Sequence, residues 1–594
     1  MKKAEKIISY IPFIILGLIS IYFVLVSVFT TCIMGPSVNE EHTYFTGDNP
    51  FIHIISLIAV SAAGYLLLTK TRLTKFFNDR EKLIELIFMV LYLAIGFYFV
   101  LNTQFEPVED QKTDMVNLFR LRAGDFSDLM PPDGDMYLYP HQLGLITFYY
   151  FLSLFFGSYN YTAFELINIV FLAFSGLLLG RIAQKISNSA SVKACTYIAY
   201  IAFFPSFMFG SYIYGLIPGY CFMVAAIYFY TVDENLSNKT ILLTSVFIGL
   251  AIMLKSNCYI AYIALLLVLA VEVIFKKDNR KRRLILILLM TLCAFSFNAG
   301  AKLFIGHLTG IEPSKPMPSS FYIYSGISEG KRAPGWKTND RFILDDAGFD
   351  KDKIDEIAKN AIKERLNEMT KDPKYLLKFF GEKQASQWAN PSFECFLINA
   401  ERKTILIPGE FIRSLCNGPL SEQLYAPLNI MMSLLYFGLF LYFIFCFKTF
   451  KLRDLPLAIT VIGGFMIHFI WEAKSKYVFV YFLMLFPYFI TGYRFFFKYL
   501  RDIFENKEGS RERKMFFIRA LAGIMIIAVI SFSNFYYNLN GETNRLKYTV
   551  KSSLNSYTYF LDKAFKLWGD EEALEEMRRT YEQKDGWGSA LRIE

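Results

Sequence analysis

AYIALLLVLAVEVIFKKDNRKRRLILILLMTLCAFSF, residues 261–297, sets two apolar runs on either side of KKDNRKRR at 276–283. Each run, 257–275 and 284–306 at full extent, has the roughly 20 apolar residues a helix needs to cross a hydrocarbon core about 30 Å thick. The basic octet between them marks the turn that stays in the cytoplasm.

The same pattern extends in both directions. Further apolar runs occupy 7–34, 51–69, 83–101, 160–180, 193–210, 214–231, 239–254, 426–447, 455–471, 477–493 and 515–533, thirteen in all with the central two. Other Lys/Arg clusters lie at 70–82, 181–193, 448–453 and 494–514. Placing every cluster on one side fixes an all-α polytopic membrane protein of about thirteen spans with a cytoplasmic N-terminus. The segment 141–157, HQLGLITFYYFLSLFFG, breaks this parity if it spans. It reads instead as a helix in the outer interface or dipping partway in.

Composition agrees. Of 594 residues, 54% are hydrophobic and 18% aromatic, and only 19% are charged, against roughly 25% in soluble domains. With 61 Phe and 38 Tyr the chain is not disordered. Its net charge of +9 sits between apolar segments, so it reports orientation in a lipid bilayer rather than affinity for nucleic acid. Six of the eight Cys lie in apolar runs, which excludes a disulfide scaffold. Cys395 and Cys416 share one external loop, either as two thiols or as a disulfide.

The chain divides into a two-span extension (1–82), a transmembrane core (83–306) with an external loop at 102–159, an external cap loop (307–425), C-terminal spans (426–533) and an external tail (534–594). The first loop is acidic, with Asp110 and Asp114 near the start of a short amphipathic helix. Met115, Leu118, Phe119 and Arg122 mark that helix's predicted stripe. In the cap loop, 351–370 carries a helical stripe, and 374–388, KYLLKFFGEKQASQW, reads as an interfacial helix.

Candidate chemistry gathers at the outer ends of the spans. Lys255 interrupts an apolar stretch at an outer turn, and WEAKSKY (471–477) places Glu472, Lys474, Lys476 and Tyr477 at another. Ionisable groups so close to the membrane point to function, although each lysine would equally sit there by snorkelling. Lysines at the outer face opposite an acidic loop suit a lipid phosphate plus a carboxylate base. The five His, at 42, 53, 141, 307 and 468, share no metal-ligand spacing. No metal is therefore assigned, and a divalent ion has no support.

PVEDQKTD (107–114), YPHQLG (139–144), FGEKQASQWANPSF (380–393) and EAKSKY (472–477), in this order and sidedness, resemble motifs of the GT-C superfamily of membrane glycosyltransferases. That superfamily includes protein O-mannosyltransferases and the aminoarabinose transferase of lipid A. The resemblance extends over roughly 83–495. It implies a polyprenyl-phosphate-linked sugar as donor, an extracytoplasmic acceptor and a site on the outer face of the cell membrane. It places the catalytic carboxylate at Asp110, with Asp114 one turn later as second choice. It assigns substrate contacts to Tyr139, His141, Gln142, Lys255, Trp388, Glu472, Lys474, Lys476 and Tyr477, with Tyr137, Tyr139 and Trp388 offering faces for sugar rings. The chain departs from the pattern at Leu216, where an acidic residue is expected, and in EAKSKY, where Lys replaces the more usual Arg. A lysine pairs with phosphate as a point charge rather than a fork. Two other readings remain open from sequence: a polymerase or ligase acting on lipid-linked oligosaccharide, and a lipid-linked sugar transporter.

Overall fold

A computed structural model describes residues 2–35, 42–329, 334–336, 341–400, 402 and 404–505. The expected thirteenth span at 515–533 and the tail lie outside the described residues.

The described chain is helical apart from one antiparallel hairpin, Thr30–Gly35 with His42–Gly47, and an isolated bridge between Phe105 and Thr404. Among the described residues seven helices are long and apolar enough to cross a membrane, or up to nine if two bent pairs each count as one span. The bent pairs are Ala190–Ala202 with Pro205–Ser211, at 59°, and Ser475–Met484 with Phe486–Ile503, at 46°. The first bend falls where Pro205 removes a backbone donor. Three more apolar helices, Leu216–Val232, Asn238–Leu254 and Pro456–Ile470, hold 15 to 17 residues. At 1.5 Å per residue that is roughly 22–26 Å, short of the full core. Each of the first twelve expected runs coincides with one of these helices, but the structure itself counts seven to nine by length.

The first run ends sooner than expected. Its helix stops at Phe29, and the residues read as its last turn form the hairpin strand, beginning at the β-branched pair Thr30-Thr31. That helix, read above as part of an extension, packs inside the bundle, where Phe13, Leu16 and Phe23 are buried. The segment 141–157 becomes the 14-residue helix Leu143–Phe156.

Helix ends sort by charge. At one face Lys193 pairs with Glu81 and with Glu85 at 3.0 Å, Arg181 with Glu85 at 2.8 Å, and Lys185 with Glu234 at 3.0 Å. Lys276 pairs with Glu5 at 3.2 Å and Glu272 at 2.8 Å. Arg283 reaches the same buried Glu272 at 3.0 Å, and Arg453 reaches it at 3.5 Å. The basic clusters therefore meet at one end of the bundle. Asp110, Lys255 and the segment 471–477 meet at the other.

The cap loop is built on the first loop. Phe321, Ile343, Leu344, Ile354 and Ala358 form a small core with Leu138. The helix Pro373–Trp388 is less superficial than expected, because its second half, from Lys383 to Trp388, is buried.

Candidate functional site

Four segments distant in sequence converge on one cavity of about 820 Å³ at the end of the bundle opposite the basic clusters. The first is the start of helix Glu109–Ala123. Asp110 lies in its first turn, exposed and facing the cavity, where the helix dipole favours a negative charge. Glu109 before it is held at φ 50°, a left-handed conformation that costs a non-glycine residue energy and concentrates at functional sites. The buried stripe runs through Gln111, Asp114, Met115, Leu118 and Leu121. Met115 and Leu118 match the predicted face, whereas Phe119 and Arg122 are exposed.

Gln111 anchors this helix. Its Oε1 accepts from the Ile213 amide at 2.8 Å and from Arg402 Nη2 at 3.1 Å. Arg402 also donates to Glu106 O at 3.0 Å and to Glu165 Oε1 at 3.4 Å. The span carboxylate Glu165 thus belongs to a brace, not to the cavity. Asn168 does similar work, donating to the carbonyls of Gly210 and Tyr212 at 3.2 and 3.0 Å.

The second segment is Lys255, in extended conformation between Asn238–Leu254 and the next span. Its ammonium sits 3.9 Å from the ring centre of Tyr214. Burial pulls its pKa down to about 8, while Asp110, Asp114 and Glu472 oppose that shift. Two glycines let neighbouring chains approach this turn. A Cβ on Gly144 would stand 2.0 Å from Met253 O, and one on Gly215 would stand 2.1 Å from Leu254 O. The glycine of YPHQLG therefore has a packing reason.

That motif is the third segment. Tyr139, His141 and Gln142 line the cavity, and burial holds His141 down at about 4, so its imidazole is neutral near pH 7. The fourth is the chain after helix Pro456–Ile470. Glu472, Lys474 and Tyr477 line the cavity, and Lys474 Nζ lies 3.5 Å from the ring centre of Trp336. Lys383, which sequence reading missed, ties this chain in place. Its ammonium donates to the carbonyls of Phe469 at 2.9 Å, Trp471 at 2.8 Å and Gly326, filling the three donors of a lysine.

Eight expected residues thus share one cavity: Asp110, Tyr139, His141, Gln142, Lys255, Glu472, Lys474 and Tyr477. Three do not line it. Asp114 is fully buried one turn behind Asp110, and neither carboxylate oxygen has a hydrogen-bond partner. Burial, with Asp110 and Asp135 nearby, raises it well above the usual carboxylate range. Trp388 is wholly buried against Phe23, ring centres 4.6 Å apart, and Phe465 at 5.9 Å. It has no face to offer a sugar. Lys476 is 1% exposed and pairs with Glu109 at 3.1 Å and with buried Glu394 at 3.9 Å.

The cavity adds residues the sequence did not single out. Tyr214, Tyr322, His468 and Trp471 line it, and Tyr322 stacks on Trp471 with ring centres 5.0 Å apart. Gln142 Oε1, Tyr322 Oη and His468 Nε2 are buried with no protein hydrogen-bond partner, which leaves them able to bond water or a ligand. Leu216, where the resemblance expects an acid, is buried. Cys395 and Cys416 are buried free thiols. No group of three or more His, Cys, Asp or Glu among the described residues is arranged to hold a metal. A larger cavity, about 1280 Å³, opens at the basic face. Its Arg181, Lys185 and Glu85 are already in ion pairs.

No protein-family model matches this chain, and no curated protein matches it.

Proposed function

We propose that this chain is a membrane glycosyltransferase of the GT-C type, moving a sugar from a polyprenyl-phosphate donor to an extracytoplasmic acceptor. The observation that carries this reading is the cavity. It brings the exposed carboxylates Asp110 and Asp133, the half-buried Asp135 and Glu472, two lysines and stacked aromatic rings together at one end of a helical bundle. In the reaction the anomeric C–O bond to the lipid phosphate breaks and a new C–O bond to the acceptor forms. Asp110 takes the acceptor hydroxyl proton. Lys255 and Lys474 stabilise the charge on the departing phosphate. Tyr322 and Trp471 take the face of the ring in place of Trp388, and Gln142, Tyr139 and His468 offer polar atoms to its hydroxyls. Transfer of radiolabelled sugar from polyprenyl-phosphate donors in isolated membranes tests this reading, and membranes that never move label from the donor lipid would refute it.

Lys255 sets a pH dependence. With its pKa at about 8, the ammonium is present below that value and is lost as pH rises through it. Donor kcat/KM should therefore fall above pH about 8, and Lys255→Arg should move the fall upward. A flat profile through that range in the wild type would remove Lys255 from phosphate binding.

The reading also places the cavity outside the cell and the basic face within it. The thirteen-span topology leaves both ends of helix Leu143–Phe156 outside. A cysteine at Ser158, in a cysteine-free background, should react with an impermeant maleimide on intact cells. Labelling only after the membrane is opened would show that this helix crosses.

A further inference from the structure

A third cavity, about 940 Å³, runs between helices Pro50–Lys70, Ala190–Ala202, Pro419–Cys446 and Phe486–Glu505. Its wall is apolar along most of its length, through Val60, Leu68, Val192, Leu435, Ile490 and Phe497. Its mouth is not. Arg72, Lys75, Arg494, Lys498 and Arg501 line it against one carboxylate, Asp79.

These cations are arranged for an external charge. Arg494, Lys498 and Arg501 stand at i, i+4 and i+7 of one helix and so share a face. Arg72 and Lys75 meet that face from the short segment after helix Pro50–Lys70. All five are exposed. Among the described residues these cations make one ion pair, Arg501 with Asp502 at 3.9 Å, which joins two half-exposed side chains and is weak. The cations of the neighbouring face, Arg181, Lys185 and Lys193, are by contrast matched to Glu85, Glu234 and Glu81. An excess of positive charge at the end of an apolar groove between spans is the chemistry of an anionic amphiphile: acyl chain in the groove, phosphate at the mouth.

We infer that this groove is a binding site for an anionic phospholipid of the leaflet at the basic face, separate from the cavity that holds Asp110. The site uses different residues and stands whether or not the chain transfers sugar.

The test uses the purified full-length chain in detergent, with phosphatidylglycerol, phosphatidylcholine and inorganic phosphate as probes and native mass spectrometry as readout. The wild type should retain phosphatidylglycerol over phosphatidylcholine. The triple variant Arg494→Gln, Lys498→Gln, Arg501→Gln should lose at least about tenfold of that retention, since each basic residue contributes roughly fivefold near an anionic surface. A control triple on the same face but outside the groove, Lys277→Gln, Arg280→Gln, Lys281→Gln, removes equal charge and should retain the lipid. A photoactivatable phosphatidylglycerol with the probe in its acyl chain should crosslink mainly to the four helices named. Any of four results overturns the site: no preference between the two lipids, equal loss in both triples, displacement of the lipid by millimolar-scale inorganic phosphate, or crosslinks spread evenly over all spans.

Discussion

Asp110→Asn is expected to lower sugar transfer by at least about 100-fold while leaving membrane insertion and donor binding intact, within the range of about 10²–10⁴ that a positioned general base contributes. Asparagine keeps the shape and much of the hydrogen bonding but cannot take the proton. Three carboxylates on the same loop serve as contrasts. Asp114 is buried behind Asp110 and does not line the cavity, so Asp114→Asn should leave most activity. Asp128 pairs with half-exposed Arg120 at 2.8 Å, and Asp125 lies at 3.8 Å from the same guanidinium. Neither lines the cavity, so their Asn variants should leave transfer little changed. Near-wild-type transfer by Asp110→Asn would remove this residue from the mechanism.

The second large effect falls on stability. Lys476 was expected to meet the donor phosphate, but the structure uses it elsewhere. Its ammonium is buried between Glu109 and Glu394, and its own backbone amide donates to Glu394 Oε1 at 3.1 Å. Ser475 Oγ donates to the same oxygen at 2.7 Å. Phe393 and Glu394 are both left-handed, at φ 48° and 70°, so this turn stores strain that its contacts must hold. Lys476→Met keeps the apolar stem and removes the charge, leaving Glu394 buried without its cation. A loss of about 3–5 kcal/mol is expected, the scale for breaking a buried pair. Adding Glu394→Gln should recover part of it, because the uncompensated charge is then gone. Transfer should fall too, since Glu109 is the residue beside Asp110. A Lys476→Met variant of unchanged thermal stability and raised donor KM would return Lys476 to the phosphate.

The apolar helices were legible because apolar length is a local property of sequence, although seven to nine of them, not thirteen, are long enough to cross a membrane among the described residues. Boundaries were less so where a run changes structure without changing composition. Thr30 to Gly35 carries no charge to mark the end of the helix before it, but pairs with the strand His42–Gly47. The cavity was legible in part. Asp110, Lys255 and the WEAKSKY segment stand out because charge at a span end is costly. Lys383, Glu394 and Arg402 did not, since they lie in a polar cap loop where a buried charge and a solvated one read alike. Only tertiary contacts distinguish Lys383, with three backbone carbonyls around it, from the exposed Lys378 one turn earlier. Trp388 failed for the converse reason: a tryptophan beside a motif reads as a sugar platform, and its burial depends on Phe23, in a helix far away in the sequence.

The central claim is that the cavity bounded by Asp110, Lys255 and Lys474 receives the phosphate of a lipid-linked sugar. Binding of unglycosylated polyprenyl phosphate to the purified chain tests it most directly, because no knowledge of the sugar is needed. Lys255→Gln with Lys474→Gln should weaken that binding at least about tenfold, given about 1.5–3 kcal/mol for a hydrogen bond to a charged group. The Arg494, Lys498, Arg501 triple at the opposite face should bind as the wild type does. Undiminished binding by the lysine pair variant, or a loss confined to the arginine-lysine triple, would contradict the account.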